Sequence, residues 1–264
     1  MRMDYETYSL ERVGEHVLIV MMDRPEVRNA KNTKMGLEQI EIFQGLYRDT
    51  EGVRAVIYTG RGDKAFCAGG DLKERNGMTN HDWQVQHRIF EQAVIAMRMC
   101  PVPVIGAVNG AAYGGGCETA LTCDFVYAAS HAKFALTEVT LGIMPGAMGT
   151  INLPNAVGER RAKEIVMTGL PFTAQEACDW GLVNKVCEPE KLMEETIATA
   201  ERIANNAPLS IRAAKRSTSI ATQVDRMSGY QFELQAYNRL VGTDDRLEGV
   251  AAFNEKRKAQ FKGS

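Results

Sequence analysis

The sequence predicts a mixed α/β fold, with a mostly parallel β-sheet core over residues 1–200 and a helical C-terminal part over residues 201–264. Short β-branched runs in the first half end at glycine- or proline-rich turns. A pattern of strand, loop and helix returns every ~40 residues, which is typical of parallel strands joined by crossover helices. After residue 159, few strand-like runs remain and amphipathic helical spacing dominates.

The individual elements follow from hydrophobic periodicity and from their end signals. Continuous apolar runs predict strands at residues 16–22, 54–59, 103–108, 125–128 and 133–136. Helical spacing predicts helices at residues 32–49, 192–205, 209–219 and 224–241. Thr173 and Glu176 form a capping-box pattern, which predicts one more helix ending near Gly181.

Composition and charge exclude several classes of protein. The chain has 264 residues and a net charge of -2, which argues against sequence-independent binding of nucleic acid. No apolar run reaches the ~18 residues of a membrane-spanning helix, and the N-terminus has no signal-peptide pattern. The six cysteines form no CxxC pair and the four histidines no HExxH motif, so we expect reduced thiols, no metal site and a cytoplasmic location.

Two glycine-rich segments each follow a predicted strand. In residues 65–72 (AFCAGGDL), Gly69 and Gly70 allow a backbone N–H to approach a ligand closely, although a plain tight turn explains them equally well. In residues 109–120 (NGAAYGGGCETA), three glycines precede a helix start, whose free N–H groups suit a developing negative charge. Dinucleotide binding is the alternative, but the spacing is not GxGxxG.

Two glutamates are candidates for acid–base chemistry. One follows the three glycines of the second segment, and the other follows a short strand. Glu118 is in the first turn of the helix after the glycine run, where it also compensates the helix dipole. Glu138 lies among apolar neighbours in residues 134–146 (FALTEVTLGIMPG), where a surface position is the alternative. Neither acid indicates a function alone, but a pair of carboxyl groups is suited to acid–base chemistry.

These three segments closely resemble the motifs of the enoyl-CoA hydratase/isomerase (crotonase) superfamily, and the resemblance covers nearly the whole chain. It implies a crotonase (ClpP-like) spiral of ββα repeats with a helical C-terminal region. It also implies that residues 201–264 form a trimerisation region, in a homotrimer or homohexamer. We offer this assembly as an analogy with the superfamily.

The resemblance also assigns roles to residues. The N–H groups of Gly70 and Gly115 would form an oxyanion hole, and Glu118 and Glu138 would be the acid and base. The residues that would bind the substrate and its CoA are Val27, Arg28, Ala30, Ala68, Asp71, Leu72, Lys73, Tyr113 and Thr137. Lys256, Arg257 and Lys258 are candidates for CoA phosphates, although a solvated helix end explains them equally well. No cofactor is expected, because CoA is part of the substrate.

The implied activity is reversible hydration of a trans-2-enoyl-CoA, because the superfamily's hydratases carry both acids. Another reaction of a CoA thioester on this scaffold, such as isomerisation, hydrolysis or decarboxylation, is the first alternative. A non-catalytic CoA-binding or RNA-associated protein is the second. The two acids and the glycines argue against a non-catalytic protein, and the negative net charge argues against binding of RNA.

The acyl group cannot be read from the sequence. Met148 occupies a position where the superfamily's hydratases usually have glycine, which predicts a narrower or reshaped pocket. Trp83, Phe90 and Met97 lie on one face of a possible helix, which indicates either core packing or a pocket wall.

Overall fold

The computed structural model describes residues 4–264 of the chain. Its strands are β1 (Tyr8–Val13), β2 (Val17–Met22), β3 (Ala55–Gly60), β4 (Ala65–Cys67), β5 (Val104–Val108), β6 (Ala111–Tyr113), β7 (Phe125–Ala129), β8 (Lys133–Ala135), β9 (Phe172–Thr173) and β10 (Lys185–Cys187). Its α-helices are α1 (Thr33–Arg48), α2 (Leu72–Arg75), α3 (Asn80–Arg98), α4 (Gly115–Thr122), α5 (Gly149–Val157), α6 (Glu159–Thr168), α7 (Ala174–Asp179), α8 (Leu192–Ala204), α9 (Pro208–Ala221), α10 (Arg226–Val241) and α11 (Asp244–Asn254).

The strands form two sheets, and from β3 to β8 successive strands alternate between them. The larger sheet has the order β1-β2-β3-β5-β7-β10, and the smaller has the order β4-β6-β8-β9. All neighbours are parallel except β1 with β2 and β8 with β9. Each turn of the chain thus adds one strand to each sheet before a helix returns it, which confirms the predicted spiral of ββα repeats.

The larger sheet is buried on both faces, which explains why its strands are continuous apolar runs. On one face, Leu18, Val56 and Val104 belong to the main core. On the other face, Ile57 and Ile105 pack with residues of α8. The predicted strands and helices therefore all appear, with ends within a few residues of the predicted ones.

The elements that the periodicity did not predict include helices α5, α6 and α11 and several strands, and α3 was expected only as a possible helix. Strands β4, β6, β9 and β10 have only two or three residues each, too few to show a period. Strand β1 lies at an edge of the larger sheet, and the charged residues Glu11 and Arg12 interrupt its apolar pattern. These short strands matter for function, because β4 and β6 lie inside the two glycine-rich segments and end just before their glycines.

The C-terminal part is helical, as predicted. Lys215 on α9 forms an ion pair with Asp124 at 2.7 Å, and Arg54 donates to the carbonyl oxygens of Ala204 and Phe261. Helix α10 packs against α9 and has no buried residue. The predicted boundary between residues 200 and 201 falls inside α8, and the division into two domains stays a prediction. Across residues 4–264, no helix combines the length and apolar character needed to cross a bilayer.

Candidate active site

Two loops meet at the end of β4 and form one side of the site. The N–H of Ala68 donates to the carbonyl of Arg28 at 3.0 Å, and the N–H of Lys31 donates to the carbonyl of Gly69 at 2.7 Å. Arg24 reinforces the contact by donating to the Ala30 carbonyl at 2.7 Å and to Asp71 at 3.0 Å. The turn at residues 27–30 and the loop at residues 68–73 are therefore neighbours in space.

The backbone amides of Gly70 and Gly115 lie side by side. A Cβ atom added to Gly115 would lie 3.9 Å from the nitrogen of Gly70. The preceding residues, Gly69 and Gly114, have φ values of +94° and +51°, which residues with a side chain rarely adopt. Within residues 4–264, neither the Gly70 nor the Gly115 N–H has a hydrogen-bond acceptor. Gly115 begins α4, whose first N–H groups have no partner within the helix.

Glu118 is buried one turn into α4 and is held by backbone amides. Its Oε1 accepts hydrogen bonds from the N–H groups of Ala147 at 2.7 Å and Gly149 at 2.9 Å. Burial raises the pKa of Glu118, while these two donors and the charge of Lys31 oppose the rise. The two amides favour the carboxylate form, and Oε2 accepts no hydrogen bond from the described part of the chain.

Glu138 lies across from Glu118 and has fewer partners. Its Oε2 is buried and has no hydrogen-bond partner among the described residues. Its Oε1 would lie 3.4 Å from a Cβ atom on Gly114. Burial, with a smaller contribution from the nearby charge of Glu118, raises the pKa of Glu138 to about 7. Glu138 is therefore suited to hold a proton near neutral pH.

Both acids and both amides face one cavity of about 550 Å³. Of the residues predicted to bind substrate, Ala68, Leu72 and Thr137 also line this cavity. Val27, Arg28, Ala30, Asp71, Lys73 and Tyr113 do not line it. Residues 27, 28 and 30 belong to the turn beside the 68–73 loop. The Tyr113 carbonyl lies against Gly69. Asp71 caps α2 through the N–H groups of Lys73 and Glu74, so its observed contacts are structural.

Two further expectations concern the residues that form the wall of the cavity. The prediction that Met148 narrows the pocket is wrong, because the cavity is lined by Gly146 and Ala147 but not by Met148. Met148 instead has a φ of +70° at the start of α5, a conformation that favours glycine. Trp83 and Phe90 line the cavity, whereas Met97 packs in the core.

The basic C-terminal residues are partly engaged within the chain. Arg257 forms ion pairs with Glu248 and Glu255, both at 2.6 Å. Lys258 contacts the Asn205 side chain at 3.4 Å. These contacts favour a structural role for Arg257, and binding of CoA phosphates by this segment stays a prediction.

Sequence reasoning missed three cations in the cavity wall, namely Lys31, Arg75 and the exposed Arg88. Lys31 is buried, and its Nζ donates to Thr119 Oγ1 at 2.6 Å and Gln39 Oε1 at 3.1 Å. Arg75 follows the predicted loop by two residues and lies beside Gly70. A lysine directly after the 27–30 turn and an arginine in a polar run carry no periodic signal. Only the fold brings them to the site.

Replacing Glu138 with glutamine is expected to stabilise the fold at high pH. The pKa of Glu138 is about 7 in the folded chain against 4.5 for an ordinary glutamate, so the folded state holds a proton that the unfolded state releases. The resulting contribution to the free energy of unfolding is complete below pH 4.5 and is lost as the pH rises through 7. Glutamine avoids the loss, so we expect a gain of about 3 kcal/mol at pH 8 and less than about 1 kcal/mol at pH 5.

Urea unfolding of both proteins at the two pH values, at one protein concentration, measures this difference. An equal effect of the substitution at pH 5 and pH 8 would contradict the raised pKa.

A cavity with two facing carboxyl groups and two unpaired amides defines an acid–base site for a carbonyl compound. A family model described as Enoyl-CoA hydratase/isomerase matches residues 12–264. A mitochondrial enoyl-CoA hydratase of Pongo abelii is 38% identical over 98% of this chain and 89% of its own length. A crotonyl-CoA hydratase of Syntrophomonas wolfei is 39% identical over 98% of this chain and 99% of its own length.

The crystal structure of an enoyl-CoA hydratase from Bacillus anthracis agrees with this fold at a TM-score of 0.96 and 42% identity, covering 98% of this chain and 100% of that one. The chain belongs to the enoyl-CoA hydratase/isomerase family.

Proposed function

We propose that the chain is an enoyl-CoA hydratase, which adds water to the double bond of a trans-2-enoyl-CoA and gives a 3-hydroxyacyl-CoA. The observation that carries the proposal is the presence of Glu118 and Glu138 in one cavity with the amides of Gly70 and Gly115. Curated relatives that match nearly the whole chain at 37–39% identity carry hydratase names, which supports the same reaction here.

The two amides are proposed to bind the thioester oxygen. Negative charge accumulates on that oxygen when water adds to C3, because the intermediate is an enolate. Donors aimed at it stabilise the transition state more than the ground state, and losing one donor typically costs ~3 kcal/mol. Gly70 and Gly115 suit this role because their N–H groups have no acceptor within residues 4–264.

Glu118 is proposed to be the base. The amides of Ala147 and Gly149 favour its carboxylate and leave Oε2 for a water molecule. Oε2 takes a proton from the water as the oxygen forms a bond to C3, and the electrons of the double bond move toward the thioester oxygen.

Glu138 is proposed to be the acid. Its raised pKa supports a protonated form near neutral pH, and it gives that proton to C2. The product leaves with Glu118 protonated and Glu138 ionised, and one proton exchange with solvent restores the starting state. The reaction needs no cofactor and no metal ion in this scheme, because CoA enters with the substrate.

The CoA portion is proposed to lie along the 27–30 turn and the 68–73 loop. Hydrogen bonds between the two segments give a continuous backbone surface next to the cavity. The exposed side chain of Lys73 at this surface supports contact with a phosphate.

A homotrimer, alone or paired into a hexamer, is proposed for the assembly. Helix α10 has no buried residue and exposes Met227, Tyr230 and Tyr237, and Phe253 on α11 is 84% exposed. Such apolar surface is typical of an interface. Light scattering coupled to size exclusion is expected to give three or six times 29.1 kDa, and a stable monomer or dimer would contradict the assembly. The six unpaired cysteines support a reducing compartment such as the cytoplasm.

Incubation of the purified protein with crotonyl-CoA tests the proposed activity. Chromatography is expected to show conversion to 3-hydroxybutyryl-CoA, and the reverse reaction from that product is expected to reach the same equilibrium ratio. Formation of free CoA or of a shifted double bond in place of the hydroxy product would assign a different reaction to the site.

A further inference from the structure

The guanidinium of Arg75 lies in the cavity wall, close to the proposed oxyanion hole. A Cβ atom on Gly70 would lie 3.2 Å from Nη1 of Arg75. Because a Cβ atom is about 2.5 Å from the nitrogen of its own residue, Nη1 is within about 6 Å of the Gly70 N–H. Arg75 lines the same cavity as Glu118 and Glu138.

The contacts around Arg75 fix its orientation. Its Nε donates to Gln86 Oε1 at 2.7 Å, and the guanidinium lies 4.2 Å from the centre of a Trp83 ring. Gln86 is itself buried, and it donates to Thr33 at 2.9 Å and Glu74 at 2.7 Å. The side chain is therefore held in place before any ligand arrives.

The far end of this side chain has no anionic partner. Across residues 4–264, Nη1 and Nη2 donate no hydrogen bond, and no carboxylate lies within ion-pair distance. Other arginines differ: Arg24 pairs with Asp71 at 3.0 Å, and Arg257 pairs with Glu248 at 2.6 Å. Burial lowers the pKa of Arg75, because its charge loses water, and the neighbouring charge of Glu74 offsets this only in part. A ligand that brings a negative charge would offset that loss.

We propose that the enoyl group of the substrate ends in a carboxylate, which Arg75 binds through Nη1 and Nη2. A planar guanidinium matches a carboxylate with two parallel hydrogen bonds. The short distance between Arg75 and Gly70 indicates a short acyl chain, the half-thioester of a small unsaturated dicarboxylic acid. This inference rests on the proposed hydratase function and names its substrate class.

Two thioesters of equal chain length test the proposal: trans-glutaconyl-CoA, which ends in a carboxylate, and trans-2-pentenoyl-CoA, which ends in a methyl group. The wild-type protein is expected to show at least ~10-fold higher kcat/KM for glutaconyl-CoA. In Arg75→Met this preference is expected to disappear or reverse, because glutaconyl-CoA loses ~10²-fold. Arg75→Lys keeps the positive charge but cannot form two parallel hydrogen bonds. Its preference for glutaconyl-CoA should therefore lie between those of the wild type and Arg75→Met.

Arg161→Met is the matched control, since Arg161 also lies over a tryptophan, 4.4 Å from a Trp180 ring, but does not line the cavity. Its preference between the two thioesters should equal that of the wild type. Equal or lower wild-type kcat/KM for glutaconyl-CoA overturns the proposal without any variant. An equal loss for both thioesters in Arg75→Met also overturns it, because Arg75 would then act on CoA or on the fold. Failure to hydrate any enoyl-CoA would instead overturn the proposed function itself.

Discussion

Replacing either Glu118 or Glu138 with glutamine is expected to lower kcat for crotonyl-CoA by ~10²–10⁴-fold. Glutamine preserves the size of each side chain, so the loss reports the proton transfer. In Glu118→Gln, no carboxylate remains to take a proton from water. In Glu138→Gln, no acid remains to give a proton to C2. Initial rates at saturating substrate, with KM measured in parallel, check both variants.

Glu38→Gln is the control for the general effect of removing a buried carboxyl group. Glu38 is 3% exposed, like Glu118, but it binds the Thr7 backbone and hydroxyl and does not line the cavity. We expect it to change stability but not kcat. Wild-type turnover in Glu118→Gln or Glu138→Gln would refute the two-acid mechanism.

The pH dependence separates the acid from the base. The proposed acid, Glu138, has a pKa of about 7, so kcat/KM of the wild-type protein is expected to fall as the pH rises through 7. A profile that stays flat up to pH 9 would show that the reaction does not need the Glu138 proton.

Substitution of Gly115 by proline is expected to lower kcat/KM by at least ~10²–10³-fold, because proline has no N–H to donate to the thioester oxygen. The position is compatible with proline, so this variant is expected to fold. Gly115 is the first residue of α4, and proline is well tolerated at the first position of a helix. The proline ring would also occupy the space in front of the missing donor, which adds to the loss.

Gly115→Ala is the matched control, because alanine keeps the N–H. Its Cβ would lie 3.9 Å from Gly69 and Gly70 atoms, an ordinary contact. We expect this variant to keep kcat/KM within ~10-fold of the wild type. If Gly115→Pro folds, as judged by circular dichroism, and keeps the activity of Gly115→Ala, then this amide does not bind the reacting oxygen.

The sequence predicted those elements whose burial leaves a periodic or continuous apolar pattern, and it missed others, such as α6 and α11. Strand β3 is buried at all six positions, and α1 buries Met35, Ile42 and Leu46 on one face. Strands β4 and β6 have three residues each and leave no such pattern, since their pairing depends on contacts far along the chain.

The candidate site was predicted in part. Glu118, Glu138 and the two glycines were found because the residues of each motif are adjacent in sequence. Lys31 and Arg75 were missed because their importance depends on burial beside those motifs, which only the folded chain creates. Met148 was interpreted as a pocket residue, whereas its left-handed backbone is what distinguishes the position.

The central claim is that this site adds water to an enoyl thioester, and the origin of the product's new oxygen tests it most directly. Crotonyl-CoA is incubated with the protein in water enriched in oxygen-18, and the product is measured by mass spectrometry. We expect a hydroxyacyl-CoA with one oxygen-18 in the acyl group, and ~10²–10⁴-fold less of it after Glu138→Gln over the same time. A product without the label, such as a double-bond isomer, or a labelled free acid would contradict the account.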